Sequence, residues 1–212
     1  MSDTSQPSAA DRLLDAAARL FYARGVPNVG INEIIARAGV ARMTLYHHFP
    51  SKDALVKAVL DRRKDERDAW LAQAAEMASE PRGRILAVFD LLRTWAETPD
   101  FRGCPLVAAT IELGGQLNAA RPYAQAHQAT ARAFFETHAT ELGVPDAGAL
   151  AAQLQLLVEG AAVVALVQGG PVVAQHARTA AAVLLDAAVS SAKRTTDASN
   201  TPITSPEPGA LH

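Results

Sequence analysis

The residues whose types and spacing could do chemistry lie between Gly30 and Lys52. Two short apolar-periodic segments, about Ile31 to Ala38 and Arg42 to His48, flank Gly39. The second presents Arg42, Met43 and Thr44 at its start and Tyr46, His47 and His48 at its end. Such a helix–turn–helix can lay one helix in the major groove of duplex DNA and hold the phosphates on either side. Arg42 offers a two-pronged donor to guanine, and Thr44 suits a base or a phosphate. Tyr46, His47, His48 and Lys52 suit phosphate oxygens. Met43 shares the groove-facing side. Val40 and Leu45 are expected to face inward against Ile34 and Ile35, and Gly39 to supply the positive φ of the turn.

Charge supports an anionic partner at one end only. The chain has 212 residues and a net charge of −2. Residues 11–64 carry ten Lys/Arg against five Asp/Glu, whereas residues 65–212 carry ten against sixteen. A basic front and an acidic back fit a polyanion bound by the front. The lone cysteine, Cys104, allows no disulfide within the chain, and the first ten residues show no apolar signal core. A reducing, cytoplasmic setting is therefore expected. The longest apolar runs, such as Gly160 to Val167, fall short of the roughly 20 residues of a membrane span, so no membrane partner is expected.

The elements that must position this unit read as all-α. Ala, Leu and Arg dominate and favour helix. Residues 1–10 read as a flexible arm. Leu13, Ala17, Leu20 and Phe21 form one stripe of a first helix from about Asp11 to Arg24. Ser51 is placed to cap a long fourth helix reaching about Ser79. Five more helices are predicted, at about 82–97, 105–117, 121–142, 146–168 and 172–193. Residues 195–212, with three prolines, read as a disordered tail. This divides the chain into a helix–turn–helix DNA-binding domain at 11–57 and a helical body at 58–194.

From Asp11 to about Leu60 the chain resembles the TetR family of bacterial transcriptional repressors. The resemblance is carried by Ile35-Ala36, Ala38-Gly39-Val40, Thr44-Leu45-Tyr46-His47-His48-Phe49 and Ser51-Lys52-Asp53-Ala54-Leu55. Gly30 and Ala41 stand where that family commonly has Ser or Thr caps, and Met43 replaces a usual small residue. The resemblance implies a homodimer on a palindromic operator, with a ligand in the C-terminal domain weakening DNA affinity.

The body carries two further expectations. The helix over 146–168 has one apolar stripe at Leu150, Leu154, Leu157, Val158, Ala161 and Ala165, and another at Leu156, Val163 and Val167. The last helix repeats the theme, with Val173, Ala177, Ala180 and Leu184 on one side and Val183 and Ala187 on another. A surface helix needs one stripe, so the second set is assigned to a four-helix dimer interface. The remaining helices would enclose an apolar pocket for a small effector, lined by Phe89, Trp95, Cys104, Ile111, Tyr123, His127 and Phe134, with Glu112 as a polar anchor. No metal or cofactor is expected, since His127 and His138 lie about 16 Å apart along one helix. Cys104 near a helix start suggests a thiol-based sensor of oxidants or electrophiles as an alternative. A cysteine-dependent enzyme with His127 as base is a remote one, since no such enzyme motif is present.

Overall fold

The computed structural model describes residues 7–114 and 119–199, with side chains to residue 192. Among the described residues there are nine helices and no strand: α1 (Ala9–Arg24), α2 (Ile31–Ala38), α3 (Arg42–His48), α4 (Lys52–Glu76), α5 (Pro81–Ala96), α6 (Pro105–Glu112), α7 (Arg121–Glu141), α8 (Ala147–Gln168) and α9 (Val172–Ser199). The all-α expectation holds, and so does the order of the elements.

Four boundaries differ from the sequence reading, one of them the end of α4, at Glu76 and not near Ser79. The first helix begins at Ala9 because Ser8 and Asp11 form a capping box: the Ser8 hydroxyl accepts from the Asp11 N–H, and the Asp11 carboxylate accepts from the Ser8 N–H. The expected arm therefore stops short of residue 10. The last helix runs on to Ser199, into residues expected to be disordered; the rest of that expected tail lies outside the described residues. Helix α6 ends at Glu112, not near Leu117, and residues 115–118 lie outside the described set.

Two apolar cores share one rod. The first gathers Leu13, Ala17 and Phe21 of α1, Ile34 of α2, Leu45 of α3 and Leu55, Val56, Val59 and Leu60 of α4. It also takes in Leu106 and Ala109 of α6 and Ala124 of α7. The second gathers Leu71 and Ala74 of α4 with the inner faces of α5, α7, α8 and α9. Burying each such leucine contributes about 1.5–3 kcal/mol. Ser51 caps α4 by accepting from the Ala54 N–H at 3.1 Å, as its type and place anticipated.

Helices α8 and α9 each bury one face and leave another bare. Leu150, Ala151, Leu154, Ala161, Ala162 and Ala165 are buried, while Leu156, Val163, Val164, Leu166 and Val167 are exposed. On α9 the buried stripe is Ala174, Ala177, Ala181 and Leu185, one residue on from the predicted one for most of its length, and Val172 and Val183 are exposed. By length and composition alone both helices could cross a membrane. The estimate that apolar runs are too short is corrected accordingly, because Gly160 and isolated Gln and Glu residues interrupt the run without making the helix polar.

The turn before α3 rests on one backbone conformation. Gly39 caps α2 at φ +63°, whereas Gly30, at the start of α2, has φ −90° and no side-chain cap. Nothing lies within 4 Å of a Cβ added at either position, so backbone conformation alone separates the two. Gly39→Ala should lower unfolding free energy by about 1–2 kcal/mol through left-handed strain. Gly30→Ser should raise it by a few tenths. Urea denaturation of the two variants tests this, and equal midpoints would contradict it.

Candidate nucleic-acid interface and effector cavity

Helix α3 is two turns long and is held from beneath. Leu45 is fully buried, and Val40 and Ile35 pack against the same core. Arg12 of α1 donates from Nε to the Ala38 carbonyl at 3.2 Å, occupying an acceptor that the end of α2 leaves open. Arg24 at the end of α1 pairs with Glu33 in the first turn of α2. These contacts fix α2 and hence the seat of α3.

The opposite face of α3 is bare. Met43 is 80% exposed and Tyr46 38%, and Arg42, His47 and His48 are exposed. The Arg42 guanidinium lies 5.7 Å from the Tyr46 ring centroid one turn on, so the two form a single outward ledge. The rings of His47 and His48 meet edge-on at 5.2 Å. Thr44 is half-buried on the flank. Six of the seven residues expected to touch DNA thus sit on one short helix, and five of them are exposed.

Lys52 is placed differently. Its ammonium donates to the Val26 carbonyl at 2.8 Å and lies 6.0 Å from the Phe21 ring. It ties the start of α4 to the turn after α1 with one of its three N–H donors, so the ammonium is positioned by the chain itself.

The body holds a small cavity of about 20 Å³ between α4, α5, α7 and α8. Of the residues expected to line it, Trp95, Cys104 and His127 do so. Phe89 is fully buried in the body core. Tyr123 packs on the first core. Phe134 stacks on Phe135 and His138 at 5.7 and 4.6 Å. Two more, Ile111 and Glu112, lie outside this cavity, and Glu112 lines a separate, largely apolar pocket with Phe21, Val56, Leu60 and Ala109. Ile111 is 77% exposed, because Leu106 and Ala109 turn the buried face of α6 the other way. Glu112 faces the reading head and accepts from the Val26 N–H at 2.8 Å.

Sequence reasoning missed four residues here. Arg67 and Trp70 line the cavity from α4, and Glu159 lines it from α8. An Arg-x-x-Trp pair at one-turn spacing was a legible signal, as was Glu159, the one charged residue between Asp146 and Arg178. The fourth is Tyr22. Its hydroxyl accepts from the Arg102 N–H at 2.7 Å and donates to the Gly103 carbonyl at 3.1 Å, strapping α1 to the loop that carries Cys104.

Burial pushes the Cys104 thiol up from its ordinary range, with a backbone hydrogen bond from Val107 opposing it. A thiol kept protonated is a poor nucleophile, which argues against both the sensor and the enzyme alternatives.

Burial also holds the His127 imidazole down at about 4, helped by Arg67 and opposed by Asp68. Its ordinary value is 6.5. As pH falls, the unfolded chain takes up this proton first, so His127 subtracts stability from about pH 6.5 down to about 4. His127→Phe should flatten that stretch of the stability curve, by a difference of order 3 kcal/mol near the lower end. Urea titrations at stepped pH measure it, and parallel curves for the two proteins would refute it.

Comparison with known proteins places this geometry. A family model described as "Bacterial regulatory proteins, tetR family" matches residues 13–59. A TetR-type transcriptional regulator structure from Streptomyces avermitilis is 37% identical, covering 86% of this chain and 98% of its own, with a TM-score of 0.73. A TetR-family transcriptional regulator from Streptomyces coelicolor is 29% identical, covering 85% and 96%, with a TM-score of 0.80. An HTH-type transcriptional regulator of Mycobacterium tuberculosis is 38% identical over 92 residues, 43% of this chain and 46% of that one. The chain thus spans about half the length of the curated relatives it matches. With a helix–turn–helix head, an all-helical body and a relative matched over nearly its whole length, this chain belongs to the TetR family of bacterial regulatory proteins.

Proposed function

We propose that the chain is a sequence-specific DNA-binding transcriptional regulator of the cytoplasm. It acts as a homodimer on a palindromic operator and is released as a repressor when a small, largely apolar effector enters the cavity of the body. The single observation that carries the DNA-binding reading is the exposed ledge of Arg42, Met43, Tyr46, His47 and His48 above a fully buried Leu45. A two-turn helix reaches few bases alone, and two copies related by a two-fold axis would read two half-sites.

The dimer reading rests on the bare face of α8 and α9. Leu156, Val163, Val167 and Val183 are 73%, 55%, 78% and 63% exposed, and Ala187 lies on the same outward side of α9. A continuous apolar face of this kind marks an interaction surface. A second copy of the same two helices covers it as a four-helix bundle. The effector reading rests on Trp95, Cys104 and His127 meeting in one cavity, apolar on most of its wall.

Two outcomes are expected. In gel shifts against operator and random duplexes, Arg42→Ala should cut discrimination by about 10- to 100-fold, the range for loss of one bidentate base contact. Equal loss on both duplexes would assign Arg42 to phosphate instead. In light scattering, the wild-type chain should have twice its monomer mass, and Val163→Glu with Val167→Glu should halve it and abolish operator binding. A monomeric wild type would remove the bundle.

A further inference from the structure

We infer that the effector is an apolar acid, and that Arg67 is the residue that pairs with its carboxylate. The inference rests on the effector-responsive reading above and names the ligand class of that same cavity.

Arg67 sits in a run of charges from Asp61 to Asp68 whose other cations have partners. Arg62 pairs with Asp15 at 2.6 Å, Arg63 with Glu66 at 2.7 Å and Lys64 with Asp68 at 2.7 Å. Among the described residues Arg67 has no ion pair, and its buried Nε has no hydrogen-bond partner. Its guanidinium is instead clamped between two indole rings, 4.1 Å from the Trp70 centroid and 4.6 Å from that of Trp95. Ring faces stabilise the cation but accept nothing from the edge, where the five N–H donors point. The fork is therefore fixed in plane and short of acceptors, which is the arrangement a planar carboxylate completes with two parallel hydrogen bonds.

The rest of the wall matches the body of such a ligand in chemistry; at about 20 Å³ it takes one only by opening onto the neighbouring cleft of about 300 Å³. Leu71, Val88, Leu92, Phe135, Val158 and Ala162 are apolar. His127 is neutral near physiological pH, since burial depresses it. Glu159 is the one carboxyl in the lining, and burial pushes it up, towards its uncharged form, against the pull of Arg67. The neighbouring cleft shares Arg67 and Trp95 with the cavity, so Arg67 stands at the threshold between the two spaces.

Trp70 and Trp95 are the only tryptophans of the chain, so tryptophan emission of the full-length protein, excited selectively over tyrosine, reads this site. The test titrates octanoate against octanamide and octylammonium, and 4-phenylbutanoate against its amide. At least one acid should perturb the emission with about ten-fold or greater preference over its amide, the scale of a charged hydrogen bond. Arg67→Gln should erase that preference while leaving the amide affinity within about two-fold, and Arg67→Lys should retain part of it. Equal binding of acid and amide, tightest binding of octylammonium, or no response to either acid at millimolar concentration overturns the inference. If Arg67→Gln does not fold, the wild-type comparison decides alone. Gel shifts on the same preparations separate the two readings. Acid selectivity without DNA binding sinks the regulator and spares the acid site. DNA binding without acid selectivity does the reverse.

Discussion

Continuity of α4 is the constraint on which the rest of the molecule depends. Its 25 residues span about 37 Å and belong to both cores. The first two turns bury Leu55, Val56, Val59 and Leu60 under the reading head, and the last two bury Leu71 and Ala74 in the body. The stretch between is charged, and its ion pairs run to α1 or along the helix. One unbroken run of backbone hydrogen bonds thus connects the two cores. Tyr22 with the 102–103 backbone, and Glu112 with Val26, add two further ties between the same halves.

Much of the fold was legible because helices announce themselves by period. Leu13, Ala17 and Phe21 recur at one-turn spacing and are all buried. Gly39 and Ser51 mark a stop and a start that the backbone obeys. The failures are local. The Ser-x-x-Asp box at Ser8 precedes Leu13, the first residue of the apolar stripe, and the cap, not the stripe, sets where α1 begins. The end of α9 continues through Thr, Asp and Ser, poor helix formers, so propensity pointed to an earlier stop.

The candidate site was legible where it lies on a short exposed helix and obscure where it is assembled from several. One heptapeptide carries Arg42, Met43, Thr44, Tyr46, His47 and His48, so spacing alone brings them together. The cavity draws on α4, α5, α7 and α8, and no period in the chain relates Trp95 to His127 or Cys104. Arg67 was hidden for a different reason. A cation among Asp, Arg, Lys and Glu reads as one more solvated charge; Trp70 one turn on is the signal in the chain, and Trp95 joins it only in the tertiary structure. Lys52 illustrates the converse, a lysine whose flanking motif advertised phosphate contact and whose ammonium is held by a carbonyl of its own chain.

The first core does not end where the family match ends. Leu106, Ala109 and Ala124 complete it from α6 and α7, far along the chain from residues 13–59. The head is therefore not a detachable module. A chimera that transplants residues 1–60 onto a relative's body would leave Phe21, Val56 and Val59, which line one pocket with Ala108 and Ala109 of α6, facing foreign side chains. Swapping specificities between such proteins calls for the acceptor surface of α6 and the first turn of α7 to travel with the graft.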